Sequence, residues 1–411
     1  MLIHPTLLYE YFIAKNSHLI YKIIVRKNKN KPIYKVAFFV THSSVWKYDY
    51  LFYLMREHEQ FDPTIVVCPV VNYGRDNMLV EMDRSYKFFS NKGFKVVRAY
   101  DEERDKYIDI RREVNPDIIF YTNPYRGLID DRYFITRFLD RLTCYVPYSA
   151  SICNTPMQFN KFLSTVAWKF FLENELSSQI AKNEMHNRAV NVVVSGYPAC
   201  DVFLSGMRDP INVWKHHQKI KLIWAPHHSF DEESSVHFAN FFEVSETLVL
   251  VRDKYKDFVQ IAFKPHPLLY VKLLNVWGKQ RTDEYYEAWA EGQNSQYEDG
   301  DYLDLFMTSD AMIFDSVSFI YEYLFTKKPS LFINGQSAAS QLNEFGKKAL
   351  RCHQQGNTQV DIEHFIEAVI AGKPDSLAEE KQRFYNQYVV PANGKLASQN
   401  IIDNILESLS A

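Results

Sequence analysis

Residues Ser309–Leu324 have the sequence SDAMIFDSVSFIYEYL, in which a short apolar run passes directly into a segment of helical spacing. The run Ala311–Phe314 has the length and composition of a buried strand, and a helix is predicted to begin around Ser316–Ser318. A buried strand that turns at once into a helix is typical of a parallel, doubly wound sheet, because helices cover both faces of such a sheet. This segment therefore predicts the α/β fold class.

The same alternation of strands and helices extends over most of the chain, in two groups separated by a long helical stretch at about 155–187. The strands predicted for the first group are Val36–Val40, Thr64–Pro69, Lys95–Ala99, Asp117–Tyr121 and Leu142–Val146. Those predicted for the second group are Asn191–Ser195, Lys221–Ala225, Gln260–Lys264, Ala311–Phe314 and Ser330–Ile333. Two Rossmann-like domains with doubly wound parallel sheets facing a cleft, followed by C-terminal helices, constitute the GT-B architecture.

This pattern predicts four parts of the chain: an N-terminal helix and linker (1–34), a first Rossmann-like domain (35–187), a second (188–385) and a C-terminal helix (386–411). At 411 residues the chain is long enough for two domains that each bury a core. Because doubly wound sheets bind ligands beyond the carboxyl ends of their strands, we expect the site in the cleft.

Net charge and cysteine pattern argue against a nucleic-acid binder and against a protein stabilised by zinc or disulfides. The net charge of −3 argues against a nucleic-acid binder, which would carry a basic face. The five cysteines are scattered and form no C-x-x-C pair, so neither a zinc site nor a disulfide framework is predicted. Free cysteines favour a reducing compartment, and we expect a cytoplasmic protein.

The N-terminus combines apolar residues at helical spacing with a basic run that ends at Lys31. The apolar residues are Leu7, Leu8, Tyr11, Phe12, Leu19, Ile20, Ile23 and Ile24. A helix packed on the first domain explains this pattern. A peripheral membrane contact through residues 1–31, possible at the inner face of the plasma membrane, is the alternative.

The segment Ser309–Leu324 also predicts an anion site. Asp315 or Ser316 could cap the helix, and the free amide groups of its first turn would then suit a diphosphate. Ser318 and Glu322 are four residues apart and share one helix face, so the hydroxyl could meet phosphate while the carboxylate meets ribose hydroxyls. Plain capping is the alternative.

Three other strand ends carry candidate residues. Gly196-Tyr197-Pro198 forces a sharp exit from its strand, Pro226-His227-His228 follows the next, and Lys264-Pro265-His266-Pro267 holds a histidine between two prolines. His266 could bind phosphate or act in catalysis, with Lys264 as a positive charge beside it. No Asp, Glu or Cys lies at usable spacing from the adjacent histidines, so no metal site is predicted.

Polar residues also follow strands of the first group. His42, Asn123, Arg126 and Tyr148 would face the same cleft, where they could handle an acceptor.

Taken together, the motifs of the second group resemble those of the CDP-glycerol glycerophosphotransferases of teichoic-acid and capsule synthesis, which are GT-B enzymes. The matching positions are Gly196-Tyr197-Pro198, Ala225-Pro226, Lys264-Pro265-His266, Asp315-Ser316-Val317-Ser318, Glu322 and Lys328-Pro329. The resemblance covers about residues 190–335. It implies that His266, Ser318 and nearby amides contact the donor's phosphates, and that Glu322 contacts its ribose.

Two positions depart from the family pattern. Val317 stands where the family has a serine, which removes one hydroxyl from the phosphate site. Val146-Pro147-Tyr148-Ser149 stands where the family has a tryptophan-histidine-glycine motif that carries a candidate base. The catalytic base would then be His42, His227 or His228.

The sequence thus predicts a metal-independent transferase without a cofactor. It would move glycerol phosphate, a polyol phosphate or a sugar from a nucleotide-activated donor, with CDP favoured, to a hydroxyl of a cell-surface glycan or its lipid-linked precursor. A nucleotide-sugar 2-epimerase and a non-catalytic capsule-assembly subunit are the alternatives.

Overall fold

The computed structural model describes residues 5–155, 158–232, 234, 236–335, 338–391 and 393–410, with side chains from residue 12 onward. The described residues form two compact units. Unit 1 takes its residues from 1–151, 157–205 and 388–411, and unit 2 takes its residues from 152–156 and 206–387. Unit 2 is therefore inserted into the chain of unit 1.

Unit 1 is built on a parallel sheet of seven strands in the order β3-β2-β1-β6-β7-β8-β9, beside a small antiparallel pair, β4-β5. Its strands are β1 (Tyr34–Val40), β2 (Phe61–Val67), β3 (Val96–Arg98), β4 (Tyr100–Asp101), β5 (Lys106–Tyr107), β6 (Ile118–Tyr121), β7 (Leu142–Tyr145), β8 (Lys169–Leu172) and β9 (Val192–Val194). The central strands are buried on both faces, which explains their continuous apolar runs.

Helices cover this sheet, and apolar residues of helices and strands together form two cores, one on each face. The helices include α1 (Pro5–Asn28), α2 (Asp49–Glu57), α3 (Gly74–Asn91), α4 (Ile110–Glu113), α5 (Phe162–Val166), α6 (Glu175–Glu184) and α7 (Asp201–Ser205). All five strands predicted for the first group are present, with ends shifted by a few residues.

The helix α1 packs on unit 1 along one face. Ile13, Ser17, Tyr21 and Ile24 are buried, and the Tyr21 hydroxyl lies 2.5 Å from Thr143 Oγ1. The prediction of an N-terminal helix that packs on the first domain is thus confirmed for the side chains of this buried face. Leu7, Leu8 and Tyr11, which belong to the predicted apolar pattern, lie outside the residues whose side chains are described.

The boundary predicted at 187/188 differs from the structure. The stretch 155–187 is not one helix, because it contains β8, and β9 pairs with β8 in the first sheet rather than opening the second. The first unit therefore continues to Ser205. The sequence of a short valine-rich strand such as β9 does not show which sheet the strand joins, because its pairing depends on contacts with distant segments.

Unit 2 is built on a parallel sheet of six strands in the order β12-β11-β10-β13-β14-β15. Its strands are β10 (Ile220–Ala225), β11 (Val259–Phe263), β12 (Ser295–Tyr297), β13 (Ala311–Phe314), β14 (Ser330–Ile333) and β15 (Gln354–Gly356). Its helices include α8 (Phe241–Lys254), α9 (Pro267–Trp277), α10 (Lys279–Ala290), α11 (Leu303–Thr308), α12 (Phe319–Glu322), α13 (Glu344–Leu350), α14 (Gln359–Ile370) and α15 (Ala378–Phe384). Both sheets are doubly wound, as the α/β, GT-B-like fold class predicts.

The last helix, α16 (Ala397–Ser410), returns to unit 1. The carboxylate of Asp201 accepts hydrogen bonds from the amides of Ala397 (3.2 Å) and Ser398 (2.7 Å), and so holds the start of α16. Gly196 has φ +92°, and a Cβ there would lie 3.0 Å from Ala397 Cβ. The glycine-tyrosine-proline turn therefore serves the docking of the last helix.

Among the described residues, the helices are too short or too polar for any of them to cross a lipid bilayer.

Candidate functional site

Three neighbouring strands of unit 2 end at the same edge of the sheet. β10 lies between β11 and β13, and the chain order reverses between β10 and β13. Such a switch point opens a crevice at the carboxyl ends of the strands. His227 and His228 follow β10, His266 follows β11, and Asp315 follows β13.

The three histidines form one cluster at this edge. The ring centroid of His266 lies 5.0 Å from that of His227 and 4.1 Å from that of His228, and the two adjacent rings are 4.5 Å apart. A ring nitrogen of each lies within 4.8 Å of a ring nitrogen of the other two. We call His227, His228 and His266 the histidine cluster.

Backbone bonds between the ends of β10 and β11 bring the cluster together. The amide of Lys264 donates to the carbonyl of Trp224 at 2.8 Å, and the amide of His266 donates to the carbonyl of Pro226 at 3.0 Å. Pro226 therefore acts through its backbone. Beneath these bonds, Trp224 stacks against Phe263 in the buried core.

His266 is the N-cap residue of α9. Its Nδ1 accepts a hydrogen bond from the amide of Leu268 at 3.1 Å, and Pro267 occupies the first helical position. Because a backbone amide can only donate, Nδ1 must be unprotonated in this arrangement. The neutral ring then carries its proton on Nε2, so that His266 offers a fixed N–H donor.

His227 and His228 differ in their partners. Nδ1 of His227 lies 2.7 Å from Ser229 Oγ, which also accepts the amide of Phe238 at 2.9 Å. Nδ1 of His228 is buried and has no hydrogen-bond partner among the residues that the structure describes. The pKa of His227 is lowered to about 3 and that of His228 to about 4, mainly by burial and in smaller part by the neighbouring positive charge of Lys272.

Burial also lowers the pKa of His266 well below its usual value, with smaller contributions from the other two histidines and from Lys264 and Lys272. All three rings are therefore neutral at pH 7.

Asp315 connects two loops beside the cluster. Its carboxylate is 2 % exposed and accepts the amides of His227 (2.5 Å) and Asn240 (2.6 Å). Burial raises the pKa of Asp315 to about 7, against these hydrogen bonds, which lower it. Neither of the two predicted capping residues, Asp315 or Ser316, caps the following helix, whose N-cap residue is Ser318. The oxygens of Asp315 accept amides of the segment after β10 and of the start of α8 instead.

The helix predicted to begin around Ser316–Ser318 begins at Phe319, directly after its N-cap residue Ser318. α12 is only four residues long, and the amide of Phe319 already donates to the carbonyl of Ser316. Ser318 takes the N-cap position without a side-chain cap bond, and Ser316 is buried. The amides of Val317 and Ser318 have no hydrogen bond to any residue that the structure describes.

Two predicted donor-binding residues, Glu322 and Lys264, are buried. Glu322 is 2 % exposed and accepts a hydrogen bond from the hydroxyl of Tyr302, so it is not a surface carboxylate. Lys264 is 6 % exposed and lies near Glu298. Both follow strand ends of the same sheet, and their contacts with ribose and phosphate stay predictions.

The Lys328-Pro329 motif has a visible structural role. Nζ of Lys328 donates to the carbonyls of Phe306 (3.0 Å) and Met307 (2.7 Å) near the end of α11. Burial lowers the pKa of Lys328 to about 8. The lysine thus satisfies helix carbonyls beside β14.

Sequence reasoning missed Lys272 and Asn240, and it gave no separate role to Ser229, which ends the stretch Ala225-Pro226-His227-His228-Ser229. Nζ of Lys272 pairs with Asp231 at 2.5 Å and donates to Ser234 Oγ at 2.8 Å, next to the cluster. Lys272 occupies the sixth position of α9, whose first residue follows His266. Because this position is less than two helical turns from the His266 cap, the spacing in the sequence already indicated that Lys272 lies near the cluster.

The remaining candidates belong to unit 1. His42 follows β1, Asn123 follows β6 and Tyr148 follows β7, and these strands are neighbours at the switch point of the first sheet. Asn123 Oδ1 accepts the amide of Tyr125, and Arg126 lies 3.5 Å from Asp131. Gly196, predicted to bind the donor, is also part of unit 1, where it packs against α16.

The histidine cluster has the spacing of three ligands of one metal ion, a grouping that sequence reasoning did not find because His266 is distant in the chain. Coordination through Nε2 of His266 would need the proton moved to Nδ1, against the amide of Leu268. Donors at this edge, namely Nε2–H of His266 and the amides of Val317 and Ser318, instead suit an anion.

Solved structures with the same fold include the wall teichoic acid polymerase TagF in a variant soaked with CDPG, with a TM-score of 0.58, 14 % identity and 99 % coverage of both chains. UDP-GlcNAc 2-epimerase from Neisseria meningitidis bound to UDP-GlcNAc has a TM-score of 0.54 at 14 % identity, covering 91 % of this chain and 99 % of its own. MnaA of S. aureus with UDP has 0.55 at 14 % identity, covering 91 % and 96 %. These likenesses concern the fold.

None of the curated proteins compared with the chain matches it significantly. A family model does match, described as CDP-glycerol:poly(glycerophosphate) glycerophosphotransferase, over residues 150–407. The match includes the histidine cluster, Asp315 and the turn that follows it. Because it spans more than half of the 411 residues, the chain belongs to this family of glycerophosphotransferases.

Proposed function

We propose that the protein transfers glycerol phosphate, or a related polyol phosphate or sugar, from a CDP-linked donor to a hydroxyl group. The acceptor would be a cell-surface glycan of the teichoic-acid or capsule type, or its lipid-linked precursor. The histidine cluster at the switch point of unit 2, inside the region matched by the family model, carries this proposal.

In this proposal the donor's diphosphate lies between the cluster and the turn after β13. Nε2–H of His266 and the amides of Val317 and Ser318 donate to phosphate oxygens. These donors stabilise the negative charge that builds on the nucleotide as it departs, because they are already oriented before the reaction. Val317 contributes its amide here, although it lacks the hydroxyl of the family's serine.

The acceptor side is assigned to the strand ends of unit 1. Burial lowers the pKa of His42, so its ring is neutral at pH 7 and can take a proton from an attacking hydroxyl. Asn123, Arg126 and Tyr148 follow neighbouring strands and would position the acceptor. His266 is not the base in this scheme, because its free nitrogen carries a proton.

Metal independence is part of the proposal. The fixed tautomer of His266 gives the diphosphate an N–H donor in the place where a metal-assisted enzyme would offer a cation. Enzyme treated with a chelator should therefore keep its full turnover, and loss of turnover that returns with a divalent ion would contradict this part.

The reaction is tested by measuring CMP release from CDP-glycerol with and without a poly(glycerophosphate) acceptor. Acceptor-dependent release by the wild type and at least a hundredfold loss in His42→Gln are expected. If CDP, CMP and CDP-glycerol fail to raise the melting temperature, the protein does not bind this donor and the proposal is wrong. Binding without transfer would favour the non-catalytic subunit.

A nucleotide-sugar 2-epimerase is the second candidate, since epimerases share the fold across 91 % of this chain. Incubation with UDP-GlcNAc alone separates the two. A change in sugar configuration without any acceptor would favour the epimerase.

We propose a cytoplasmic location with peripheral attachment to the inner face of the plasma membrane. The outer face of α1 supports it, because Phe12, Leu19 and Ile23 are exposed there among several lysines and arginines. A lipid-linked acceptor would be reached from that position.

A further inference from the structure

An ion pair joins the two segments that carry the histidine cluster. Lys272 belongs to α9, which begins directly after His266, and Asp231 follows His228 by three residues. Nζ of Lys272 lies 2.5 Å from the carboxylate of Asp231 and donates to Ser234 Oγ at 2.8 Å. Ser234 Oγ in turn donates to the carboxylate of Asp231 at 2.7 Å. The lysine and the aspartate are therefore held beside the cluster by each other and by one serine.

Lys272 supplies positive charge to the histidine cluster, whose rings are neutral. The pKa of each ring is lowered mainly by burial and in smaller part by the charge of Lys272. The position on α9 explains this reach, because the lysine is six residues after His266, about 9 Å along the helix axis. Side chains of a helix also lean toward its N-terminus. An anion that accepts a hydrogen bond from Nε2–H of His266 would therefore lie within the field of Lys272.

The ion pair of Lys272 and Asp231 is only partly enclosed. The side chain of Lys272 is 22 % exposed and that of Asp231 is 34 % exposed. Water screens such a pair, so separating the two charges costs little free energy. A diphosphate carries more negative charge than one carboxylate, and its attraction to the lysine is correspondingly larger. A diphosphate at the cluster can therefore replace Asp231 as the partner of Lys272.

We propose that Lys272 binds the donor's diphosphate, and that Asp231 competes with the diphosphate for this lysine. The donor exchanges one anionic partner of Lys272 for another, so that the positive charge is neutralised before and after binding. Asp231 limits the affinity of the site, because each binding event must first separate Asp231 from Lys272. This inference rests on the proposed function, since it assigns a further contact to the same donor.

The test is a double-mutant cycle on the dissociation constant of CDP, measured by isothermal titration calorimetry. Lys272→Gln should weaken binding by about tenfold or more, because a charge-assisted hydrogen bond to phosphate is lost. Asp231→Asn should strengthen binding by about threefold, since the competing carboxylate is gone. When Lys272→Gln is already present, Asp231→Asn should change the dissociation constant by less than about twofold, because the two anions no longer compete.

Lys254→Gln and Glu363→Gln are the matched controls. Lys254 and Glu363 form an ion pair of 2.7 Å in unit 2. Lys254 ends α8 a few residues before β11 begins, so this pair lies near the amino ends of the strands, whereas the cluster follows their carboxyl ends. Both controls should keep the dissociation constant of CDP within about twofold of the wild type, because water and salt screen distant charges. The melting temperature of each variant without CDP shows whether it is folded.

Three results would overturn the proposal. The first is an unchanged CDP affinity in Lys272→Gln, or an equal loss in Lys254→Gln. The second is a gain from Asp231→Asn that persists in the presence of Lys272→Gln, because Asp231 would then repel the phosphate directly. The third is a lower affinity in Asp231→Asn, which would show that the carboxylate positions the lysine instead of competing with the donor.

Inorganic pyrophosphate separates this inference from the identity of the donor. It should bind the wild type about tenfold more tightly than Lys272→Gln, because it contains only the group that Lys272 is proposed to hold. Pyrophosphate binding of this kind without CDP binding would support Lys272 and contradict the CDP-linked donor. CDP binding that is equal in the wild type and in Lys272→Gln would support the donor and exclude Lys272 from the site. If neither compound binds, both proposals are wrong.

Discussion

His266 combines two roles that different substitutions can separate. Its Nδ1 caps α9, and its Nε2–H is the group that we propose to bind the donor's phosphate. Asparagine is a good N-cap residue but cannot reach as far as the imidazole. His266→Asn should therefore keep the free energy of unfolding within about 0.5 kcal/mol, whereas His266→Ala should lose about 1 kcal/mol.

Both variants should lose turnover by about a hundredfold or more, because a donor to the departing phosphate is missing. Urea unfolding and CMP release measure the two effects. Near-wild-type turnover in either variant at saturating donor would show that His266 does not touch the phosphates.

Asp315 should stabilise the fold through the two hydrogen bonds that its carboxylate accepts, rather than through its negative charge. Asp315→Asn places an amide N–H₂ against the amides of His227 and Asn240, so that at least one donor loses its acceptor. We expect a loss of about 1–3 kcal/mol in the free energy of unfolding. A weaker CDP-induced melting shift should accompany it, because the loop that carries His227 and His228 is released.

Asp310→Asn is the control, since Asp310 lies at the other end of the same strand and accepts one amide, that of Lys221, at 2.8 Å in an exposed position. The remaining oxygen of asparagine can keep that bond. Equal stability of the two variants would contradict the role of Asp315.

At the scale of elements, the turn at Gly196 should be needed for α16 rather than for the donor. Gly196→Ala meets both a left-handed φ of +92° and a Cβ contact of 3.0 Å with Ala397 Cβ and with Pro391 Cγ. Gly93→Ala, at φ +71° in open space, shares only the backbone strain. The free energy of unfolding should fall by about 1 kcal/mol for Gly93→Ala and by about 2–3 kcal/mol for Gly196→Ala.

Donor affinity should be unchanged in both variants when measured by titration with CDP below the melting transition. A donor affinity that falls for Gly196→Ala alone would support the prediction that Gly196 belongs to the donor site.

Strands with strong apolar runs were predicted well. Ala311–Phe314 and Ser330–Ile333 have the predicted bounds, because each run is buried on both faces and bounded by polar or turn residues. β12 and β15 were missed, since Ser295–Tyr297 and Gln354–Gly356 are short, mostly polar strands. Their strand conformation comes from pairing with β11 and β14, which no local pattern contains.

The site was predicted in its residues but not in its geometry. His227, His228 and His266 were each proposed, yet their meeting depends on β10 and β11 being neighbours. The predicted cap at Asp315 is absent because its carboxylate accepts the amide of Asn240, a residue that is distant in the sequence. Sequence spacing describes contacts within an element, whereas these contacts cross between elements.

For the whole molecule, buried neutral histidines should make the fold sensitive to acid. Burial lowers the pKa of His353 to about 3, while its Nε2 donates to the carbonyl of Ile320. Below a pH of about 6.5, the usual pKa of histidine, His353 is protonated in the unfolded chain but neutral in the fold. This difference of one proton lowers the free energy of unfolding by about 1.4 kcal/mol for each pH unit below that value.

The same sign applies to His227, His228 and His266. His353→Gln should abolish the part of this acid sensitivity that comes from His353. From pH 6 to pH 4, the free energy of unfolding of the wild type should therefore fall by about 1.4 kcal/mol per pH unit more than that of the variant. Urea unfolding at several pH values measures it. Parallel curves for the two proteins would show that His353 is protonated in the fold.

The insertion of unit 2 into unit 1 also sets an order of events during translation. The core of unit 1 includes Ile401, Ile405 and Leu409 of α16, which leave the ribosome only after all of unit 2. The half of the protein that is made first is therefore completed last. Unit 2, whose residues are contiguous apart from 152–156, can close its core while the nascent first sheet still lacks α16 and exposes the apolar surface that α16 will cover.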